Sequence, residues 1–567
     1  MICGWDQLPS ELLLMIMSYM DAKDLFRLGK VNYHWRRVSE DNCLWKRLFI
    51  RDYEVPKATR LKIGKSWVEE YKILNFNSPL KLYESFRDCP LGVVHVSFSP
   101  NGELFCTTAA DGSFKVWTAT SPTYLIHERY LQDTLGWQQA LFSQFGPDSK
   151  RLLICGLKSE SRGEVAIFFI DENYEVHSVC RAPNNPYDFS CCWYDTTHIL
   201  TSDVYLFSRN SVIGSSATQI FLCSALSPCD HANESFLCPI LRLLNRQGGV
   251  YRLIALSRYV PARLRGVVIL AREARAENKT LSAKAKELTQ NMSENATEDE
   301  VRDELKRKVE ELSGPAERSC VLCAGSHEIF VSEQEQKQLP YPCLCLCHDK
   351  DDRLLIHAYG ETDTALPRAV AFKVISGVMV SLVSKQQCAS SRESSSRESQ
   401  HHADNIEDQL SSIMSLFDLP DYVIDMEANV TGLTLSADHR FLFVNVVHDR
   451  FDHNRAFIGV AEIRCINLQT LSLEQSYFGH FSRFKDRFSC AVGDCFLASP
   501  SLGGVRVWSK QHKCVIGKLQ ETNEDCSVAI QPNSGEMLVT VNRADGRVKI
   551  WKSRSSIYKP TFKNDFM

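Results

Sequence analysis

The residues best suited to metal chemistry crowd between positions 320 and 348. Cys320 and Cys323 stand in the C-x-x-C spacing that two thiolate ligands of tetrahedral zinc adopt. Cys343, Cys345, Cys347 and His348 follow, but their one-residue gaps do not match a zinc knuckle. Free thiols at the base of a loop and along a strand are the preferred reading. Zinc at Cys320 and Cys323 is the weaker alternative, and no cofactor is expected. The sequence holds no P-loop, no G-x-S-x-G, no H-E-x-x-H and no kinase signature. It reads as a protein that binds rather than one that catalyses.

A second set of residues does structural chemistry. Asp111 and Asp545 each precede glycine in a tight turn, and Trp117 and Trp551 end the strands that follow. The first lies in VVHVSFSPNGELFCTTAADGSFKVW, residues 93–117, and the second in CSVAIQPNSGEMLVTVNRADGRVKIW, residues 526–551. Degraded copies stand between them, such as VTGLTLSADHRFLFVNV followed by EIRCINL. A repeat of roughly 40–45 residues with four strands per unit is the signature of a WD-type β-propeller. Innermost strands are expected near Val93, Gln138, Tyr187, Val250, Asn429, Phe488 and Cys526, which makes seven blades. The last blade lacks an outer strand after Trp551, and Leu80–Ser85 can supply it, closing the ring and removing an open edge. In regular blades the turn Asp accepts a hydrogen bond from a His placed before the innermost strand. Here Cys89 takes that place in blade one, and His480 precedes blade six, whose SPSLGG turn has no Asp. These networks are therefore broken or rebuilt.

The 567 residues are 44% apolar and 24% charged, with a net charge of −4. That balance suits a soluble protein with a large core and offers no field for nucleic acid or anionic lipid. No apolar run approaches the ~20 residues of a membrane span. Leu12–Met17 is the strongest run; it follows Glu11 and lacks a basic n-region, so a secretory leader is not expected there. Most of the 22 cysteines should then be reduced thiols serving as small core residues.

Residues 4–50 read as a compact helical unit. Ser10 suits an N-cap, Leu12, Leu13, Ile16 and Met17 follow at helical spacing, and Asp21 can cap a second helix. So small a unit buries a weak core. It is expected outside the ring, joined by a connector at 51–77 that holds a short helix bearing Trp67, Tyr71 and Leu74. The propeller should span 78–555, with insertions at 271–352 and 384–418 and a tail at 556–567. Residues 271–318 carry 22 charges, 12 acidic and 10 basic, and no aromatic. They fit a solvated insertion with one amphipathic helix along Val301, Leu305, Val309 and Leu312, entered from a strand near Val267–Leu270. The Ser-rich stretch 384–400 fits a loop.

The first 50 residues resemble an F-box: LPSELLLMIMSYM, then DLFRLGKVNYHWRRVSEDNCLWKRL. An F-box followed by WD repeats is the layout of the F-box/WD-repeat family. The irregular stretches FSQFGPDSKRLLICG, NNPYDFSCCW and FDLPDYVIDMEANVTGLTLSADHRFLFVNV extend the resemblance over nearly the whole chain. It implies a mainly β fold, a propeller preceded by a small all-α domain. It implies a substrate-recognition subunit of a cullin–RING (SCF-type) ubiquitin ligase, itself non-catalytic. Leu8, Pro9, Leu12, Leu13, Ile16, Val31, Trp35 and Trp45 would form the adaptor-binding F-box, with Leu8, Pro9, Leu12 and Ile16 towards the partner and Val31, Trp35 and Trp45 more internal. Partners implied are the Skp adaptor and Cullin 1, and also Cullin 4 through the damaged-DNA-binding adaptor. The latter grips W-D-x-R ends, whereas here Trp117 precedes Thr118, Trp508 precedes Ser509 and Trp551 precedes Lys552. Centriole-assembly scaffold proteins and tuberin-complex members are the implied substrates, in the cytoplasm and also the nucleus. Arg302 and Leu305 fit an R-x-x-L destruction box, a candidate degron. The competing reading is a non-degradative propeller scaffold in a signalling or centrosome-linked complex.

Overall fold

The computed structural model describes residues 8–53, 55, 61, 65–159, 162–185, 191–206, 216–226, 237–245, 254–258, 260–261, 264, 352–359, 367–375, 420–448, 458–483, 490–521, 526–532 and 534–557. Five helices open the chain: α1 (Ser10–Met17), α2 (Ala22–Leu28), α3 (Tyr33–Ser39), α4 (Asn42–Tyr53) and α5 (Trp67–Asn77). Their starts follow from side chains that satisfy free N–H groups. Asp21 accepts from the Asp24 amide and Asn32 from the Trp35 amide. Ser66 and Glu69 form a reciprocal capping box on α5. Ser10, expected as a cap, is instead the first helical residue of α1, and Pro9 stands at the N-cap without a side-chain bond.

Seven four-stranded antiparallel sheets follow. From the innermost strand outward, blade one is Val93–Phe98, Leu104–Ala109, Ser113–Thr118 and Leu125–Tyr130. Blade two is Gln139–Phe145, Arg151–Ser159, Arg162–Ile170 and Val176–Asn184, and blade three is Cys192–Trp193, His198–Leu206, Ser216–Ser224 and Leu237–Asn245. Blade four is Ile254–Ser257, Arg353–Tyr359, Ala369–Ile375 and Tyr422–Asp425, and blade five is Asn429–Leu435, Phe441–His448, Ile458–Asn467 and Ser472–Arg483. Blade six is Ala491–Val492, Phe496–Ser501, Gly504–Ser509 and Cys514–Leu519. Blade seven takes Cys526–Ile530, Met537–Asn542 and Arg547–Lys552 from the end of the chain and Lys81–Arg87 from near its start. That closing strand runs antiparallel to its neighbour, Leu82 opposite Trp551 and Arg87 opposite Arg547.

The inner strand of blade four is Ile254–Ser257, which pairs with Arg353–Tyr359, and the expected strand near Val267–Leu270 lies outside the described residues. Most described thiols are free, as expected, with one pair set apart: Cys155 in blade two and Cys191 before blade three form a disulfide. Eleven other described cysteines are free, nine of them buried as small core residues. One expectation needs correction: the helical unit is not merely tethered outside the ring. Leu13, Leu25, Trp45 and Phe49 share one buried cluster with Trp67 and Tyr71 of α5 and with Phe496, Val507, Ile516 and Leu538 of blades six and seven. A domain of this size cannot bury enough apolar surface alone, and it completes its core on the propeller. The cysteine cluster from Cys320 to His348, the Arg302 and Leu305 pair and the Ser-rich stretch lie outside the described residues. No helix among the described residues is long and apolar enough to cross a membrane.

Candidate adaptor surface and its mounting

Helix α1 is apolar on two faces. Leu13 and Met17 turn inward and are 1% exposed. Leu12, Met15 and Ile16, with Tyr19 just beyond the helix, lie three and four residues apart on the other side. They are 47%, 60%, 38% and 81% exposed. Val31 and Tyr33 add exposed apolar surface at the entry to α3. A helix with water on one side gains nothing from apolar residues there, so this surface is a candidate interaction site. Of the eight residues assigned to the F-box, Leu12, Ile16, Val31 and Pro9 are exposed, Leu8 and Trp35 are half-buried, and Leu13 and Trp45 are buried. Val31 was expected inside and stands outside. Met15, Tyr19 and Tyr33 were missed, although the Leu12, Met15, Ile16, Tyr19 spacing is a second stripe in the sequence itself.

The surface is held by a rigid mounting. Trp45 donates its Nε1–H to the Ser39 carbonyl at 2.6 Å and packs on Phe26 and Tyr71. The Leu8 carbonyl lies 3.2 Å from His34 Nε2, joining the start of α1 to α3. Phe49 packs edge-on against Trp67 and against His512 of blade six. Glu70 of α5 is buried there, with Lys65 Nζ 2.6 Å and His512 Nε2 3.1 Å from its two oxygens. Burial alone would push the Glu70 carboxyl up; the bonds from Lys65 and His512 outweigh it and hold the carboxyl below its usual range.

The structural turns divide. Asp111 accepts from the Ser113 amide and hydroxyl, and from Cys89 Sγ at 3.2 Å, so the cysteine does what a histidine does in a regular blade. Burial pushes its carboxyl up, but these bonds hold it lower. Asp545 accepts from the Arg547 amide, and the Arg547 side chain lies beside it as an ion pair. The blade network runs through other residues. Trp117 Nε1–H donates to Thr107 Oγ1, which donates to Asp88, and Lys115 Nζ lies 2.7 Å from Asp88 as an ion pair. Blade seven repeats the arrangement: Trp551 donates to Thr540, Thr540 to Glu521, and Lys549 pairs with Glu521 at 2.8 Å. A carboxylate before the inner strand thus replaces histidine, and a lysine on the third strand neutralises it. No sequence pattern singled out Asp88 or Glu521, because an acid at a strand entry looks like a turn residue.

An all-α unit with an outward apolar stripe, packed on a seven-bladed ring of this kind, defines a propeller protein with an F-box. Residues 5–51 match the F-box-like family, and residues 81–118 match the WD domain, G-beta repeat. Over 97% of its length the chain is similar to F-box/WD repeat-containing protein 5 of Rattus norvegicus, at 23% identity across 95% of that protein. The same protein of Mus musculus is 24% identical over the same share of the chain and 94% of its own length. The Ubiquitin ligase complex F-box protein UFO1 of Saccharomyces cerevisiae is 48% identical over 42 residues, 7% of this chain and 6% of that protein.

Proposed function

We propose that the chain is the substrate-recognition subunit of an SCF-type cullin–RING ubiquitin ligase. The observation that carries this reading is the solvent-facing stripe Leu12, Met15, Ile16 and Tyr19 on a helix whose other face already has its core. The Skp adaptor covers that stripe and links the chain to Cullin 1. The F-box-like match over residues 5–51 and the 42-residue similarity to a yeast protein named for its ubiquitin ligase complex support the same reading. The propeller holds the substrate, and rate enhancement comes from tethering substrate lysines near a charged ubiquitin carrier, not from a catalytic side chain here. The blade ends lack W-D pairs, which favours Cullin 1 over Cullin 4 as the scaffold. Centriole-assembly scaffold proteins and tuberin-complex members are the first substrates to examine, in cytoplasm and nucleus.

The test is co-purification of the full chain with the Skp adaptor. Ile16→Asp and Tyr19→Asp change exposed positions, so the fold should stand while adaptor recovery falls at least tenfold. Undiminished adaptor binding in both variants would overturn the reading. A substrate whose abundance rises when the intact chain is depleted separates a ligase receptor from a non-degradative scaffold.

A further inference from the structure

Blades one, six and seven share a third-strand pattern, a cation two residues before a tryptophan: Lys115 and Trp117, Arg506 and Trp508, Lys549 and Trp551. Each cation stands opposite a hydroxyl residue of the second strand, Thr107, Ser499 and Thr540 in turn. In blade one Lys115 Nζ lies 2.7 Å from Asp88 and 3.0 Å from Glu128, its cross-strand neighbour on the outer strand. In blade seven Lys549 pairs with Glu521 at 2.8 Å. Blade six has the cation without the acid. Arg506 is half-buried, and its Nε–H is withdrawn from solvent without a hydrogen-bond partner. No carboxylate among the described residues forms an ion pair with it. Directly opposite on the outer strand, where blade one has Glu128, stands Lys518. Like charges facing each other across a ladder repel.

The entry to blade six supplies a separate observation. Where the other two blades place Asp88 and Glu521, this one has His480, which is 2% exposed and packs edge-on against Trp508 at 5.2 Å. Its Nδ1 has no hydrogen-bond partner. Burial, and then the Arg506 charge, push this imidazole down to about 4, so at neutral pH it is uncharged and does nothing to balance the guanidinium. Glu462 of blade five also acts on His480, but His448 and Arg464 already hold it at 2.9 and 3.2 Å. Trp508, without a hydroxyl–carboxylate chain, donates instead to the Phe478 carbonyl at 2.8 Å. Buried polar groups left unpaired cost free energy that a bound partner recovers.

We propose that Arg506, Lys518 and His480 form an anion site at the rim between blades five and six, which takes an aspartate or glutamate carboxylate from an acidic segment of a partner protein. The planar fork of Arg506 matches a carboxylate, and His480 in its Nδ1–H tautomer donates to the same group. The ligand supplies in trans the acid that Asp88 and Glu128 supply within blade one. Phe478 and Phe481 stand exposed on either side of His480. The Phe481 amide donates to Ser501 Oγ at 3.2 Å and its carbonyl accepts from the Leu502 amide at 2.9 Å, which fixes this strand against the blade-six turn. Aromatic rings beside a cation favour a peptide that carries apolar side chains next to its acids. The site is separate from the α1 stripe and does not rest on the ligase reading.

The test uses the full chain purified with its adaptor and a fluorescein-labelled peptide of Glu-Leu-Glu-Ser repeats, beside its counterpart with Gln for Glu. Anisotropy should show the Glu peptide bound at least about tenfold more tightly than the Gln peptide at low salt, with the gap narrowing at high salt. Arg506→Gln should abolish that preference, and Lys518→Gln should reduce it about threefold. Lys518 is exposed, so its variant keeps the test open where Arg506→Gln does not fold. His480→Glu, which places an acid where blades one and seven have theirs, should occupy Arg506 from within the chain and weaken the Glu peptide at least about tenfold without lowering the melting temperature. Equal binding of the two peptides, or a Glu preference unmoved by these variants, would overturn the proposal. Single-stranded DNA of equal charge bound as tightly, and lost with the same variants, would overturn the assignment to an acidic protein. Adaptor capture in the same samples should not change.

Discussion

Thr107 and Thr540 show how single hydroxyls hold a blade. Each accepts from a tryptophan and donates to a buried carboxylate that a lysine neutralises. Valine has the same shape but leaves an indole N–H and a carboxylate oxygen unpaired. Thr107→Val or Thr540→Val should therefore cost about 1–3 kcal/mol in chemical denaturation. Glu70 raises a larger stake, because it is paired on both oxygens in a dry interface. Glu70→Ala leaves Lys65 and His512 without their acid and should cost about 3–5 kcal/mol. Histidines set the response to pH. Burial pushes His95, His357, His439 and His480 down to about 4 from 6.5. Between these values the unfolded chain binds protons that the folded chain refuses, so stability is full above pH 6.5 and falls as pH drops towards 4. Up to four protons should be taken up on unfolding near pH 5.5, each steepening the loss by about 1.4 kcal/mol per pH unit. Urea midpoints at pH 7.5, 6.0 and 5.0 check this, and His480→Gln should flatten the slope by one proton.

The elements carry two opposite expectations for deletion. Lys81–Arg87 closes blade seven, and without it the Arg547–Lys552 strand presents an open ladder edge. Deleting residues 78–87 should give aggregating protein, measured by the soluble fraction and by light scattering; a soluble monomer with unchanged melting would contradict ring closure. Removing the helical unit is less damaging to the ladder but not harmless. Residues 8–50 cover Phe496, Ile516 and Leu538 together with α5, so their loss exposes apolar surface on blades six and seven. The truncated propeller should keep its strand content by circular dichroism and melt at least 5 °C lower than the full chain. The turns Asp111-Gly112 and Asp545-Gly546 are intolerant for a geometric reason. Both glycines have positive φ, and a Cβ on Gly546 would lie 1.6 Å from the Cys89 carbonyl oxygen.

At the scale of the whole molecule, α1 and the ring share one buried core, because a single cluster runs from Leu13 and Met17 to blades six and seven. The candidate adaptor surface is thereby mounted on the propeller through α1 and α5 rather than through a linker alone. Weakening the mounting with His512→Ala should leave adaptor affinity within twofold, since Leu12, Met15 and Ile16 are untouched. On the receptor function proposed above, it should slow ubiquitination of a bound substrate, since tethered reactions depend on geometry as well as proximity. Adaptor capture and a single-turnover transfer assay on the same variant distinguish the two effects.

Local patterns carry short-range information, and those were readable from the chain alone. Period-two runs between Asp-Gly turns, repeated from Val93 to Trp551, required blades and their number, and a missing outer strand required Leu80–Ser85 or its neighbours to close the ring. The Leu12 to Met17 run with Trp35 and Trp45 required a small helical unit. What the chain alone left open depends on residues far apart in sequence. Glu70 meets His512 across 442 positions, and nothing near either residue signals the other. Asp88 replaces a histidine only because Thr107 and Lys115 fold onto it, and Val31 is exposed because neighbouring helices cover other residues instead. Alternation and turn chemistry act within one strand or hairpin, whereas burial and the pairing of charges are decided by which surfaces the closed ring brings together.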